Sequence, residues 1–590
     1  MSFHPNDISR RARGAGAGLA VIFVALLAAF FRTQVLRNTQ YALQSEENRL
    51  REVPLPAGRG IIYDRAGQII AENVPGYSVS LLSPTADSLR ASLSRLSGIV
   101  QLAPEQIEAS VRRYRRAPNR PAVIFADAPF DVVSVLEEHR IDFPDLVIQS
   151  APKRYYPDGQ VVASFVGYVG EITEAELLRK EFEVYKAGQQ IGKGGLEREY
   201  ESKLRGQEGM RFVEVDARGR VVRDAGARAD LAPKAPEPLY TNIDLDLQRY
   251  AASLFGDSIQ GAVIAMEPRT GGVLALYSAP SYDPNRFIGG IPQEYWRQLN
   301  TDPRRPLYNK VIQGKYPPAS TFKLATSAIA LNRGIVGLDD HMPVSCTGGY
   351  QYGSRYFRCW EKKGHGNLSL ARAIELSCDV YFYQLGLKIG LKNLLAGGIS
   401  LGFDKRSGID LPNEQRPTFP ATAEYYDKRY GPRGWSNAVV LNLSIGQGEN
   451  DQTVVNMAKF YSALATDGYA ATPEIVRSNP ERTRVLDLSP PQMAGLRVAM
   501  AGVVSGRGTA GSAVIQGVVL AGKTGTAQNA QNRNLDHAWF VGFAPAEEPK
   551  IVVAVFLEFG EHGYLAARIA SKIVSRHLKA ATTELIQTEG

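Results

Sequence analysis

From Gly14 to Phe31 the chain carries no charged residue, and its centre reads Leu19-Ala20-Val21-Ile22-Phe23-Val24-Ala25-Leu26-Leu27. A run of this length is just enough for one membrane crossing. A cleaved signal peptide is the rival reading, but the run is long for its apolar region and ends in Phe30-Phe31-Arg32 without a small-x-small cleavage site. An uncleaved anchor over residues 14–32 is therefore expected, behind a cytoplasmic tail of residues 1–13. Arg10, Arg11 and Arg13 before it suit an N-terminus left inside, while Arg32 and Arg37 beyond it weaken the charge bias.

The remainder is globular in composition. With 590 residues, 44% hydrophobic and 22% charged, the chain has room for two or three domains, and neither disorder nor a multi-span membrane protein fits. The net charge of +8 is spread out, with no lysine-arginine block interleaved with aromatics, so nucleic-acid binding is not expected. Residues 33–53 carry helix formers and few breakers, as a stalk would. Residues 54–224 read as a mixed domain with short β-type runs such as Tyr77-Ser78-Val79-Ser80-Leu81-Leu82. The stretch 225–239, rich in Ala, Pro and charge, reads as a linker. No internal repeat is present.

Residues 240–580 give a dense α/β (α+β) pattern, followed by a tail over 581–590. Gly261–Met266 and Gly272–Leu276 flank Pro268-Arg269-Thr270-Gly271, a hairpin signal, and Ala538–Phe543 and Ile551–Leu557 flank a second turn. Short connections demand antiparallel pairing. Helical stretches at Phe322–Asn332 and Val454–Ala465 then predict helices packed on an antiparallel sheet.

Three short motifs fall in this region. Ser320-Thr321-Phe322-Lys323 follows Pro317-Pro318-Ala319, which places Ser320 in the first turn of a helix, with Lys323 on the same face. A serine hydroxyl needs a base, and a lysine serves only when its pKa is depressed, as burial beside another cation would do. The second motif is Ser377-Cys378-Asp379. The third is Lys523-Thr524-Gly525-Thr526, entered from an expected apolar strand, Val518-Val519-Leu520-Ala521, with hydroxyls and an amine suited to a substrate carboxylate and a glycine suited to close approach by a ligand backbone. Each motif alone is weak. All three in this order are specific.

On these residues the chain resembles the class B penicillin-binding proteins. Arg59-Gly60-Ile61-Ile62-Tyr63-Asp64-Arg65 and Gly192-Lys193-Gly194-Gly195-Leu196-Glu197 resemble the family's pedestal motifs, and Ser444-Ile445-Gly446-Gln447-Gly448 and His537–Phe543 resemble further family segments. Asp379, Gln528 and the Gly192 segment are more similar to the penicillin-binding protein 2 subgroup, which serves cell elongation and cell shape, than to its division counterpart. The resemblance implies a single-pass anchor in the bacterial inner membrane, a pedestal (dimerisation) domain and a periplasmic penicillin-binding transpeptidase domain. It implies a D,D-transpeptidase that cross-links peptidoglycan stem peptides through a serine acyl-enzyme, is acylated by β-lactam antibiotics, and acts as a D-Ala-D-Ala carboxypeptidase when water is the acceptor. Catalytic roles fall to Ser320 as nucleophile, Lys323 as base and Ser377 as proton relay. Lys523, Thr524, Gly525 and Thr526 would hold the donor carboxylate with Asp379 nearby, and the N–H groups of Ser320 and Thr526 would form the oxyanion hole. A SEDS-family, RodA-like glycosyltransferase and the elongation machinery are the implied partners.

Two departures stand out. Ala319 replaces a common Gly, at little cost if its backbone angle is ordinary. Asp379 replaces the Asn of the common motif, and a carboxylate there opposes a low Lys323 pKa unless it turns away or is offset. A β-lactamase or β-lactam sensor shares the three motifs but has no need of the pedestal segments. A non-catalytic scaffold has no need of Ser320, Lys323 and Lys523. His537 reads as a structural residue.

All three cysteines, Cys346, Cys359 and Cys378, fall in one window with His365. In an oxidising compartment this gives either a disulfide with one leftover thiol or a closed tetrahedral structural zinc site. Relatives that hold zinc in this region favour zinc, which would pin the second motif.

Overall fold

The computed structural model describes residues 5–38, 50–83, 85–116, 121–215, 221–224, 229–528 and 535–588. The first helix, α1 (Pro5–Phe31), contains the expected apolar run, and the 25 residues Ala12–Leu36 are long and apolar enough to cross a membrane. Of the expected stalk, residues 39–49 lie outside the described residues. Its far end is a strand, β1 (Leu50–Leu55), because Val53 has an apolar pocket beside Leu82 and Val213 to fill.

The pedestal is built on β2 (Ile62–Tyr63), β3 (Ile69–Leu81), β4 (Ala122–Phe125) and β5 (Leu146–Tyr155). The 13-residue β3 is its spine, pairing antiparallel with β2, β4 and β5. A second sheet joins β1 to β6 (Gly209–Val215), and β7 (Leu239–Tyr240) adds in parallel to β2. Tyr63 and Tyr240 stack across that join at 5.4 Å.

The two pedestal segments singled out in the sequence meet around one buried ionic cluster. Glu197 accepts from Arg59 Nε at 2.8 Å and from Arg154 Nε at 2.6 Å, and Glu201 accepts from Arg59 Nη2 at 2.8 Å and from the Gly192 N–H at 2.7 Å. Burial alone would raise the Glu197 carboxyl, but Arg154 and Arg59 hold it below the usual carboxylate range. Gly192 is required by this packing, since a Cβ there would stand 1.9 Å from the Glu197 carbonyl oxygen.

The stretch expected as a linker is held in place rather than free. Residues 225–228 lie outside the described residues, but Leu231 and Met210 exchange two backbone hydrogen bonds, each 2.8 Å, and Lys234 and Gln207 exchange two more, each 2.9 Å. Extended, proline-rich backbone still offers N–H and C=O groups to a neighbouring strand, and this one pairs.

The C-terminal domain has one five-stranded antiparallel sheet. Its strands are β8 (Gly261–Met266) and β9 (Val273–Ala279), then β12 (Ala521–Ala527), β13 (His537–Ala544) and β14 (Ile551–Leu557); β10 (Gly349–Tyr352) and β11 (Arg355–Arg358) form a separate hairpin. The order is β9-β8-β14-β13-β12, so the third motif lies on the edge strand. Every residue of Ile551–Leu557 is buried, as a strand covered on both faces demands, and such strands read as continuous apolar runs. Helix α5 (Gly563–Thr588) packs against β13 and β14, and α4 (Val454–Ala465) packs on β8 and β14. The active-site helices are α2 (Lys323–Asn332) and α3 (Asp379–Ile389). The small hairpin β10 (Gly349–Tyr352) and β11 (Arg355–Arg358) stands before α3.

Candidate active site

Ser320 lies in a 3-10 turn, Ala319–Phe322, that leads directly into α2. Two prolines before it end the extended chain, and the turn leaves the helix N-terminal N–H groups open at Ser320. The turn is held by the Ala319 N–H donating to the Gly446 carbonyl at 2.9 Å. Gly446 is at φ +74°, and a Cβ there would stand 2.2 Å from the Ala319 carbonyl oxygen, so the Ser444–Gly448 segment serves as a close-fitting brace. The expectation for Ala319 is corrected: its φ is +47°, in the left-handed region where glycine is favoured. The nucleophile turn therefore carries backbone strain of about 1 kcal/mol.

Lys323 is fully buried, and its ammonium faces the second motif. It donates to the Ser377 carbonyl at 2.8 Å, to the Ser377 hydroxyl at 3.2 Å and to Asp379 Oδ1 at 2.7 Å. Asp379 therefore does not turn away from Lys323. Burial raises the Asp379 carboxyl above its usual range, opposed by the Lys323 charge. Among the described residues no side chain hydrogen-bonds the Ser320 hydroxyl, and the residue is half-buried; contacts of this kind tighten in substrate complexes. Ser377, at φ +54°, is another non-glycine in the left-handed region.

The third motif is itself the strand β12, whereas the sequence suggested a strand leading up to it; Val519 before it is 55% exposed. Lys523 pairs across to Val541 and Thr526 to Ala538. Lys523 is fully buried, and burial followed by the neighbouring Lys323 charge pushes its amine well below the usual lysine range. Gly525 does accommodate a close approach, but by this chain's own backbone: a Cβ there would lie 3.0 Å from the Pro318 carbonyl oxygen. That contact sets β12 against the Ser320 turn. His537 is structural, its Nδ1 accepting from the Phe559 N–H at 3.2 Å.

Two residues escaped sequence reasoning. Trp360 donates its backbone N–H to Asp379 Oδ2 at 3.1 Å and its indole N–H to the Ser377 carbonyl at 3.2 Å. The Thr509 and Thr524 hydroxyls share a hydrogen bond of 2.6 Å. Neither belongs to a motif; the one available cue was the position of Trp360 directly after Cys359.

Cys346, Cys359, His365 and Cys378 converge, with donor atoms all within 4.8 Å of one another and no disulfide among the cysteines. His365 Nδ1 lies 3.6 Å from Cys346 Sγ and 3.5 Å from Cys359 Sγ. The Cys359 thiol is pulled well down, first by the hydrogen bond from Cys378, while that bond and burial push Cys378 up.

A serine at the mouth of a helix turn, a buried lysine bonded to a second serine, and a lysine-threonine strand on an antiparallel sheet define a serine-type acyl-transfer enzyme. Residues 261–576 match the penicillin binding protein transpeptidase domain, and residues 54–234 match the penicillin-binding protein dimerisation domain. The chain is 33% identical to the peptidoglycan D,D-transpeptidase MrdA of Acinetobacter baumannii, covering 94% of this chain and 86% of that protein. Its fold matches the penicillin-binding protein PBP2 of Helicobacter pylori, solved in complex with MreC, at a TM-score of 0.78, 28% identity and 90% and 99% coverage. It also matches a structure describing how a peptidoglycan synthase complex coordinates polymerization and crosslinking, at a TM-score of 0.69, 28% identity and 97% and 98% coverage. The chain belongs to the penicillin-binding protein family, as a class B member similar to penicillin-binding protein 2. It is a serine-type transpeptidase with a helix suited to holding it at a membrane.

Proposed function

We propose that the protein cross-links peptidoglycan stem peptides as a D,D-transpeptidase during cell elongation, anchored by α1 as a single-pass protein of the inner membrane. The observation that carries this reading is the meeting of Lys323 with Ser377 beneath the Ser320 turn, with Lys523 close enough to feel the Lys323 charge. Ser320 Oγ attacks the carbonyl between the donor's terminal D-alanines, and Lys323 takes its proton. Ser377 passes a proton to the departing D-alanine amine. The N–H groups of Ser320 and Thr526 face the oxyanion, and Lys523, Thr524 and Thr526 hold the terminal carboxylate. An amine acceptor yields the cross-link; water yields carboxypeptidase activity.

The cysteine-histidine cluster fits a structural zinc ion, since three thiols and one imidazole nitrogen sit within reach of a common centre and none is consumed in a disulfide. Cys346, Cys359, His365 and Cys378 would hold it, and its chemistry would be cross-linking of the 346–365 loop to the second motif. The likeness to a peptidoglycan synthase complex that coordinates polymerization and crosslinking supports a polymerase partner, for which the SEDS family is the candidate, and the likeness to the MreC-bound protein supports an MreC-type partner.

Labelling with a fluorescent penicillin tests the reading. The parent protein gains one covalent adduct, while Ser320→Ala stays folded and gains none; an adduct on Ser320→Ala ends the assignment.

A further inference from the structure

The loop between the first two candidate metal ligands and His365 carries Arg355, Arg358, Lys362 and Lys363, all exposed. Among the described residues none of these four side-chain cations has an ion-pair or hydrogen-bond partner; Arg355 only lies over the Phe357 ring, 5.0 Å from its centroid. This contrasts with the arginines of the pedestal cluster, which are paired with carboxylates. The one acid of the loop, Glu361, turns back to accept the Lys363 backbone N–H at 3.0 Å. Two exposed aromatics, Tyr356 and Trp360, accompany the cations.

The loop is fixed to the second motif, so its position relative to the chemistry is defined. The Trp360 indole reaches the Ser377 carbonyl, and the Tyr383 hydroxyl of α3 donates to the Arg358 carbonyl at 3.0 Å. In the second half of the reaction the acceptor amine forms the new amide bond, and the ester bond to Ser320 Oγ breaks. The amine proton passes through the Ser377 hydroxyl and Lys323 to that oxygen. By microscopic reversibility the entering amine occupies the place the leaving amine vacated, beside Ser377. Trp360 of this loop adjoins Ser377, so the loop offers a surface next to that entry point for the rest of the acceptor.

We propose that the 346–365 loop is the acceptor-docking surface, and that Arg355, Arg358, Lys362 and Lys363 recognise free carboxylates on the incoming amine-bearing peptide. The inference rests on the D,D-transpeptidase reading above. Exposed ion pairs are individually weak and screened by salt, so selection comes from several together and fades as ionic strength rises.

The test uses the full-length protein in detergent with a depsipeptide donor that forms the acyl-enzyme. Partition of that intermediate between water and an amine-bearing peptide is then measured, once with the peptide's carboxylates free and once with them amidated. The parent should favour the free-carboxylate acceptor by roughly tenfold at low salt and lose the preference at high salt. Replacing all four cations (Arg355→Gln, Arg358→Gln, Lys362→Gln, Lys363→Gln) should remove the preference while leaving penicillin acylation at the parent rate. Equal use of the two acceptors by the parent at low salt overturns the proposal, as does an undiminished preference in the substituted protein. The acceptor comparison needs no variant, so it decides the question even if the altered loop folds poorly. A parent that forms no acyl-enzyme with donor or penicillin would instead overturn the transpeptidase reading itself.

Discussion

The Lys323 ammonium and the Asp379 carboxylate meet at 2.7 Å, with the lysine fully buried and the acid nearly so. Asp379 Oδ1 takes Lys323 while Oδ2 takes the Trp360 N–H, so both oxygens are committed. The pair thus fixes the lysine beside Ser377 but also holds a negative charge against the proposed base. Asp379→Asn keeps a carbonyl acceptor and removes that charge, which favours the neutral amine. The acid limb of the penicillin acylation rate should move to lower pH in Asp379→Asn. Asp379→Ala, which strands a buried cation, should lose about 3 kcal/mol of stability. Stopped-flow acylation across pH and denaturant melts check both.

Lys523 makes a different pH prediction. Its folded pKa is depressed below the ordinary lysine value of 10.5, so its stabilising contribution is fully present above 10.5 and lost as pH falls through the folded value. Lys523→Met removes the group, and the stability of the variant relative to the parent should rise as pH falls across that window. A donor carboxylate arriving at Lys523 favours its charged form, so binding should be accompanied by net proton uptake. Calorimetry of a D-Ala-D-Ala peptide on Ser320→Ala, in buffers of different ionisation enthalpy, measures that uptake; release of protons on binding would contradict it.

Much of this was legible in the sequence. The strands at Gly261–Met266 and Ile551–Leu557 and the helix at Val454–Ala465 follow from local pattern, because continuous apolar runs have few alternatives. The three motifs were legible because each packs its chemistry into a few adjacent residues. Trp360 and Thr509 were not, since each acts through one hydrogen bond to a residue far along the chain. The left-handed angle at Ala319 was hidden too: alanine carries no sign of a conformation imposed by Gly446 and the proline turn. The pairing of Leu231 and Lys234 with the 207–210 segment was obscured by a composition typical of loops.

Strain at Ala319 can be relieved directly. Ala319→Gly removes the Cβ that disfavours φ +47°, relieving about 1 kcal/mol, and after the offset of roughly half that from greater freedom in the unfolded chain should stabilise the protein by about 0.5 kcal/mol. Thermal melts should show the gain, and penicillin acylation should persist. A loss of stability would mean that Ala319 packing outweighs the angle.

The pedestal cluster should behave independently of the chemistry. Glu197→Gln leaves Arg154 and Arg59 buried with half of their counter-charge and should cost about 3 kcal/mol, because removing one partner strands the others. Acylation of Ser320 should continue at the parent rate below the melting transition, since none of these residues touches the three motifs. A parallel fall in acylation would show that the pedestal sets the geometry of the site.

Removal of the proposed metal tests how the second motif is held. Cys378 stands between Ser377 and Asp379, and Cys359 stands before Trp360, which donates to both Asp379 and the Ser377 carbonyl. Two of the four candidate ligands therefore adjoin residues that touch Lys323 or its partners. A zinc ion there would lock Ser377 in its left-handed conformation, and its loss would free the 346–365 loop at that end. Purified protein should contain about one zinc per chain. Strong chelation, or Cys378→Ser, should lower both the melting temperature and the acylation rate while the single adduct on Ser320 survives. Trp360→Phe separates the two contributions. It deletes the indole donor and keeps the backbone N–H, so it should slow acylation without releasing metal. Metal-free protein that acylates at full rate would leave the cysteines a packing role only.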